Sequence, residues 1–135
     1  MTNPFEFTAT DAIKLIGNNK LSRYEWVQSC FERIREKEDL VKAWVYLDED
    51  RALEKAKQLD NENNKSQLGI PFGIKDIIDS NNTPTGYGTN FYQNNVPMRD
   101  AASVSVAKQS GCIVIGKTVS TELGHRAPGS TTNPH

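Results

Sequence analysis

An α/β fold is predicted for this chain: helices first, then a strand–helix–strand unit that opens a mixed sheet covered by helices. Three observations carry that reading. Apolar residues recur at helical spacing behind capping residues through the first sixty positions. A run from Ile70 to Ile78 holds four isoleucines broken by Gly73. A second apolar run, Cys112-Ile113-Val114-Ile115, follows a stretch patterned as a helix.

The elements follow in order. Thr10 is placed to cap a short helix through Ile16, ended by Gly17. Ser22 and Glu25 form a capping box, in which the serine oxygen accepts from the backbone at Glu25 and the glutamate reaches back. Behind the box, Trp26, Val27, Cys30, Phe31 and Ile34 keep one apolar stripe that faces a core. Ala43 to Leu47 alternates loosely, as a short strand does. Asp48 caps a helix to about Asp60, with Ala52, Leu53, Ala56 and Leu59 inward and Lys55 and Lys57 on a solvated face. Asp100 is placed to cap a helix carrying Ala101, Val104 and Ala107, which Gly111 ends. The β-branched run Cys112–Ile115 then reads as a strand covered on both faces, the pattern of a parallel sheet. A strand, a helix and a strand make one crossover unit, expected to be right-handed. Asparagine pairs at 18–19, 63–64, 81–82 and 94–95 mark the turns between these elements, and Pro128 to His135 is loop.

That architecture has too few strands to cover its own buried run, since a doubly covered parallel strand needs neighbours and two helical layers. The expectation is one domain over 1–135, incomplete at the C-terminus, with a helical region at 1–68 and the start of a sheet-containing core at 69–135. Self-association through the incomplete core is the corresponding expectation for partners.

Composition narrows the function. The 135 residues carry 16 basic and 17 acidic side chains, a net charge of −1, which gives no reason to expect nucleic acid or an anionic membrane as partner. Mean hydropathy is −0.61, no apolar run approaches a bilayer span, and the start M-T-N-P-F-E-F-T is not patterned as a secretory signal. Cys30 and Cys112 fit no metal or redox spacing and read as reduced thiols, so a cytoplasmic location is expected. His125 and His135 have no metal-ligand spacing, so no metal site is expected from them.

One motif is refused. Gly111 to Thr118 fits G-x-x-x-x-G-K-[ST] to the letter. That phosphate loop requires a strand before the first glycine and a flexible run whose N–H groups converge. Here a helix precedes Gly111, and the four residues between the glycines are strand formers. Lys117 therefore reads as structural, or as lying near the floor of a site.

The informative segment is Gly69-Ile-Pro-Phe-Gly-Ile-Lys75-Asp76. Alternation from Phe72 puts Phe72, Ile74 and Asp76 on one face and Gly73, Lys75 and Ile77 on the other. From spacing alone, Lys75 reads as an edge-strand lysine reaching for water. The segment resembles, however, the G-x-P-x-x-x-K-D signature of amidase-signature enzymes. The family's intervals are kept by Thr85-Gly86-Tyr87-Gly88-Thr89, Asp100-Ala101 with Val104, Gly111, Gly116-Lys117-Thr118, Glu122 and the loop Asn133-Pro134-His135. The resemblance covers about half the chain and places it at the N-terminal part of such a hydrolase.

The resemblance implies a Ser–cis-Ser–Lys centre that hydrolyses amide carbon–nitrogen bonds without metal or organic cofactor, with a small-molecule amide as substrate. Carried over by motif position, Lys75 is the catalytic lysine. A neutral amine is needed for that work, and burial among Phe72, Ile74 and Ile77 is expected to favour one. Asp76 and Asp79 are expected to orient the neighbouring loop through its backbone. Glu122 and Asp100 read as a helix charge and a helix cap rather than an acid/base pair. None of the nine serines stands in a Gly-x-Ser-x-Gly or Gly-Gly-Ser-Ser-Gly context, and Ser130 in Gly129-Ser130-Thr131 reads as a loop residue. Both family serines are therefore missing, and the chain is expected to be inactive alone. Two alternatives stay open: the amidase component of a tRNA-dependent amidotransferase, and a non-catalytic remnant or interaction module. Such amidotransferase components usually carry a Met-Gly-Ser-Ser-type segment where this chain has Glu122-Leu-Gly-His-Arg-Ala-Pro128, which favours the free-standing amidase.

Overall fold

Four helices and three strands alternate along the chain in a computed structural model that describes residues 3–62 and 66–134. They are α1 (Ala9–Gly17), α2 (Arg23–Val41), β1 (Trp44–Leu47), α3 (Glu49–Glu62), β2 (Pro71–Lys75), α4 (Ala102–Gln109) and β3 (Ile113–Thr118). The asparagine pair at 63–64 and His135 lie outside the described residues.

Capping sets the helix ends. Ser22 and Glu25 form the expected box at the start of α2, with Glu25 N–H donating to Ser22 Oγ at 3.0 Å and Ser22 N–H to Glu25 Oε2 at 2.8 Å. The Ser22 N–H bond, with a second from the Ser22 hydroxyl to the same oxygen at 2.8 Å, holds the Glu25 carboxyl below the usual range. A second carboxylate, Asp60 on α3, accepts from Arg23 N–H and Tyr24 N–H at 3.0 Å each, so α3 also closes the open amides of α2. Asp48 caps α3 through Arg51 N–H at 3.3 Å. The cap of α1 is Thr8, not Thr10: its hydroxyl takes Asp11 N–H at 3.1 Å, the helix begins two residues earlier than Thr10 requires, and Gly17 lies inside it.

The sheet is mixed, in the order β1-β3-β2, with β1 antiparallel and β2 parallel to the central β3. β2, α4 and β3 thus make the expected strand–helix–strand unit. Helices α2 and α3 pack on one face, where Val27, Phe31, Ala52, Ala56 and Leu59 bury against Ile113 and Ile115. The stripe on α2 and the inward set on α3 are as the periodicity predicts. Cys30 is half-buried rather than sealed, and burial pushes its thiol up to about 11.

One irregularity matters for the site. The β2–β3 register passes from Phe72↔Val114 to Gly73↔Gly116, leaving Ile115 as an extra residue on β3. Ile115 joins the helix-side core, and Gly116 also faces that side: a Cβ there would stand 2.2 Å from Tyr46 O and 3.1 Å from the Trp44 ring. The next residue, Lys117, is thereby turned to the opposite face.

Candidate active site

The carboxyl ends of parallel β2 and β3 define the site. Lys75 is the last residue of β2 and pairs with Thr118, the last of β3. Ligands of open α/β sheets characteristically sit beyond such ends. Burial alternates along β2 as predicted, with Ile74 and Asp76 inside and Gly73 and Lys75 outside. Gly73 is required by contact: a Cβ would lie 2.7 Å from Trp44 Cη2.

Lys75 stands where spacing alone puts it, as an edge-strand lysine in water, and departs from the burial expected with the catalytic role. Its side chain is exposed, not enclosed by Phe72, Ile74 and Ile77, because β2 is an edge strand and Lys75 is on the face opposite buried Ile74. Among the described residues, no carboxylate lies in ion-pair reach of its ammonium.

The segment after Lys75 is tightly built. Ile78 N–H closes a turn on Lys75 O at 2.9 Å, and Asp76 N–H continues the strand pairing to Thr118 O at 2.9 Å. The buried Asp76 carboxylate accepts from Gly86 N–H at 2.9 Å and Gly88 N–H at 3.1 Å, while its carbonyl takes Tyr87 N–H at 3.0 Å. Three successive amides of the Thr85–Thr89 motif therefore converge on one residue, the orienting role expected of Asp76. Asp79 works differently: its carboxylate accepts the Tyr87 hydroxyl at 2.6 Å rather than a loop amide. That bond, burial and the carboxylate charge raise the Tyr87 phenol above its ordinary value.

Tyr87 has φ of 53°, a conformation costly for a bulky side chain, and is held there by both neighbours. Its carbonyl accepts from Leu123 N–H at 2.9 Å, and Leu123 is itself left-handed at φ 49°. Gly88, at φ 70°, lies against the exit of β3, where a Cβ would meet Thr121 O at 2.6 Å. The 85–88 loop is thus wedged between Asp76 and residues 120–123.

Beneath this loop is Lys117. It has no exposed surface, and its ammonium donates to Thr85 Oγ1 at 2.8 Å and to Ile78 O. Burial pushes it below the ordinary lysine range, with the Asp76 and Asp79 carboxylates pulling the other way. Gly116, Lys117 and Thr118 are all in β3, paired to β1 on one side and β2 on the other, so this stretch is strand and not a phosphate-cradling loop. β3 also runs three residues beyond the expected apolar run.

Asp100 is not the cap of α4. Ala101 takes the N-cap position without a side-chain bond, and α4 starts at Ala102. The Asp100 carboxylate instead accepts from Asn81 N–H and pairs with Lys108, both at 2.7 Å. Burial works to raise its pKa, but the bonds to Lys108, Asn81 and Ser80 outweigh it and the net direction is down. Glu122 opens a short 3-10 turn, and His125 is exposed and bonds its own loop at Leu123 O. Among the described residues, no group of three or more His, Cys, Asp or Glu is placed to hold a metal, and no helix is long and apolar enough to cross a membrane.

The family model described as Amidase matches residues 25–134. The chain belongs to the amidase-signature family. Its curated relatives include the A component of a glutamyl-tRNA(Gln) amidotransferase from Bacillus thuringiensis, 35% identical over 117 residues, covering 84% of this chain and 24% of that protein. Among solved amidase structures, the peptide amidase of Stenotrophomonas maltophilia superposes with a TM-score of 0.80 at 25% identity, over 90% of this chain and 26% of that one. An amidase family protein of Bacillus anthracis gives 0.78 at 27% identity, over 87% and 25%. The chain therefore spans about a quarter of the length of the amidase-signature proteins it matches. Lys75 and Asp76 stand out as candidates in the sequence; Asp60 as a second cap and the pairing of Lys117 with Thr85 do not. The only written signal for the latter was a lysine standing in an otherwise buried strand.

Proposed function

We propose that this chain supplies the N-terminal part of an amidase-signature catalytic domain, in which Lys75 is the proton acceptor for hydrolysis of an amide carbon–nitrogen bond. The observation that carries the reading is the position of Lys75: at the carboxyl end of a parallel strand, side chain free in solvent, on a turn fixed by Asp76. In the reaction, the nucleophilic serine gives its proton through the bridging serine to the Lys75 amine and attacks the carbonyl. The proton returns to the departing amine, leaving an acyl-enzyme for water to cleave. Backbone N–H groups hold the oxyanion. In this reading the residues that carry the two serines close over the Lys75 side chain, which is exposed here.

The isolated chain is accordingly expected to hydrolyse nothing. Incubation with aryl and aliphatic amides and with a serine-reactive phosphonate checks this. Turnover, or stoichiometric labelling of a serine, contradicts it.

The identity to an amidotransferase component favours a second reading, in which the parent protein releases ammonia from glutamine for a tRNA-linked acceptor. Against it stands the segment Glu122–Pro128, whose short 3-10 turn around a left-handed Leu123 replaces the Met-Gly-Ser-Ser-type stretch. Lys75 has the same role in both. Glutamine as the preferred substrate of the complete protein selects the second reading, and a simple amide selects the first.

A further inference from the structure

Lys117 is a fully buried cation for which the proposed reaction has no use. Burying an ammonium is costly unless it is well bonded, and a methionine would fill the same strand position without that cost. Its location gives the charge a purpose. Lys117 pairs with Ile74, one step before the Lys75↔Thr118 pair, and the extra residue at Ile115 turns it away from the apolar core. Its two acceptors belong to two different walls. Ile78 O is in the turn that closes on Lys75 O, and Thr85 Oγ1 opens the loop whose amides at 86 and 88 are held by Asp76. Asp76 already joins the turn to the loop through the Gly86, Tyr87 and Gly88 amides, and the Lys117 ammonium adds a second bridge, from Ile78 O to Thr85. Around it, Asp76 and Asp79 supply negative charge and Lys108 adds repulsion.

We propose that Lys117 is a positioning residue for Lys75: its ammonium clamps the 75–78 turn to the 85–88 loop and so fixes where the Lys75 side chain stands. The functional meaning rests on the reading of Lys75 given above; the clamp itself is independent of it. Thr85 is the second half of the device. Loss of the clamp loosens this end of the sheet while the α2–α3 core, on the other face, stays closed.

The test uses the chain itself, isotope-labelled, with site-resolved amide hydrogen exchange and the side-chain Cε–Nζ signal of Lys75. Lys117→Met keeps the bulk and removes the charge. The expected result is exchange faster by about tenfold or more at Ile78, Gly86, Tyr87 and Gly88, since Lys117→Met removes both charge-assisted bonds. Amides of α2 and α3 are expected to hold their rates, and the Lys75 signal to move or broaden. Uniform acceleration through the whole protein overturns the proposal, because Lys117 is then a general stabiliser. An unchanged loop overturns it, and so does a loosened loop with an unmoved Lys75 signal. Thr85→Val, which leaves Lys117 in place and removes one acceptor, keeps the test open if Lys117→Met does not fold: a smaller change at the same amides supports the clamp, and none overturns it. A turnover measurement showing that Lys75 is not a base leaves these outcomes as they are, so failure of the clamp and failure of the base are read separately.

Discussion

The two halves of the molecule are ordered by different forces. Residues 3–62 close mainly on apolar contact, with Val27, Phe31, Ala52, Ala56 and Leu59 packed against two isoleucines of β3, and bury only two polar side chains, Arg23 and Ser29. Residues 66–134 bury Asp76, Ser80, Thr83, Thr85, Lys117 and Ser120 and order their long loop through them. The first arrangement is non-directional and tolerant of small shifts. The second is directional: each buried polar group must find its partner or cost stability. A scaffold of the first kind carrying a site of the second kind is a division of labour, and each half should fail in its own way.

The largest expected effect is on the scaffold. Phe31→Ala empties a fully buried ring position and is expected to cost about 3–5 kcal/mol. Urea unfolding followed by tryptophan fluorescence and by far-ultraviolet dichroism should shift together, since α2, α3 and β3 share that core. Separate shifts of the two probes break the view of one apolar scaffold.

Asp76→Ala should come next and should act locally. It leaves the Gly86 and Gly88 amides without their acceptor, a cost of about 1–3 kcal/mol. Hydrogen exchange should rise at 85–88 and remain low in α2. An equal rise in both halves would show that the loop and the scaffold open as one unit.

How much of this was legible in the sequence follows the same division. The stripes Trp26–Val27–Phe31 and Ala52–Ala56–Leu59 are written in spacing, and the capping box at Ser22 in two letters, so the helical half could be read directly. Alternation also gave the faces of Phe72 to Asp76, because a pleated strand leaves no choice. The exposed edge position of Lys75 was legible from spacing alone; the expected enclosure by Phe72, Ile74 and Ile77 failed, because burial at an edge strand depends on what lies beside it and a run of isoleucines does not say which neighbour is present. The pairing of Lys117 with Thr85 joins positions 32 apart through a register slip at Ile115, and no local pattern announces such a slip. Asp100 misled because an aspartate before an apolar run is the usual helix cap; here Lys108 and Asn81 N–H hold its carboxylate instead.

Two smaller effects sharpen the comparison. Ser22→Ala removes the cap hydroxyl of α2 and is expected to cost about 1 kcal/mol, moderated by the second carboxylate at Asp60. Thermal melting measures it, and a loss well above that marks Ser22 as part of a larger network. Lys108→Met tests the polar half through pH. The Asp100 carboxyl is held below its ordinary value, so its contribution is present above the unfolded value near ~3.9 and is lost as pH falls through the lower folded one. The stability gap between wild type and Lys108→Met, below about 1 kcal/mol at neutral pH, should therefore narrow only in acid. A gap that widens in acid contradicts the assignment of Asp100 as Lys108's partner.

Whether Lys75 is the base is decided by turnover of Lys75→Arg in a complete catalytic setting. A chimera in which residues 25–134 of this chain replace the matching segment of the Stenotrophomonas maltophilia peptide amidase supplies that setting, with the unaltered chimera as the reference. If Lys75 is the proton acceptor, Lys75→Arg should lower kcat by about 10²–10⁴-fold, and Lys75→Ala by as much, because a guanidinium keeps its proton at any workable pH. An arginine variant that retains near-normal kcat would show that Lys75 serves only as a positive charge or a packing stem.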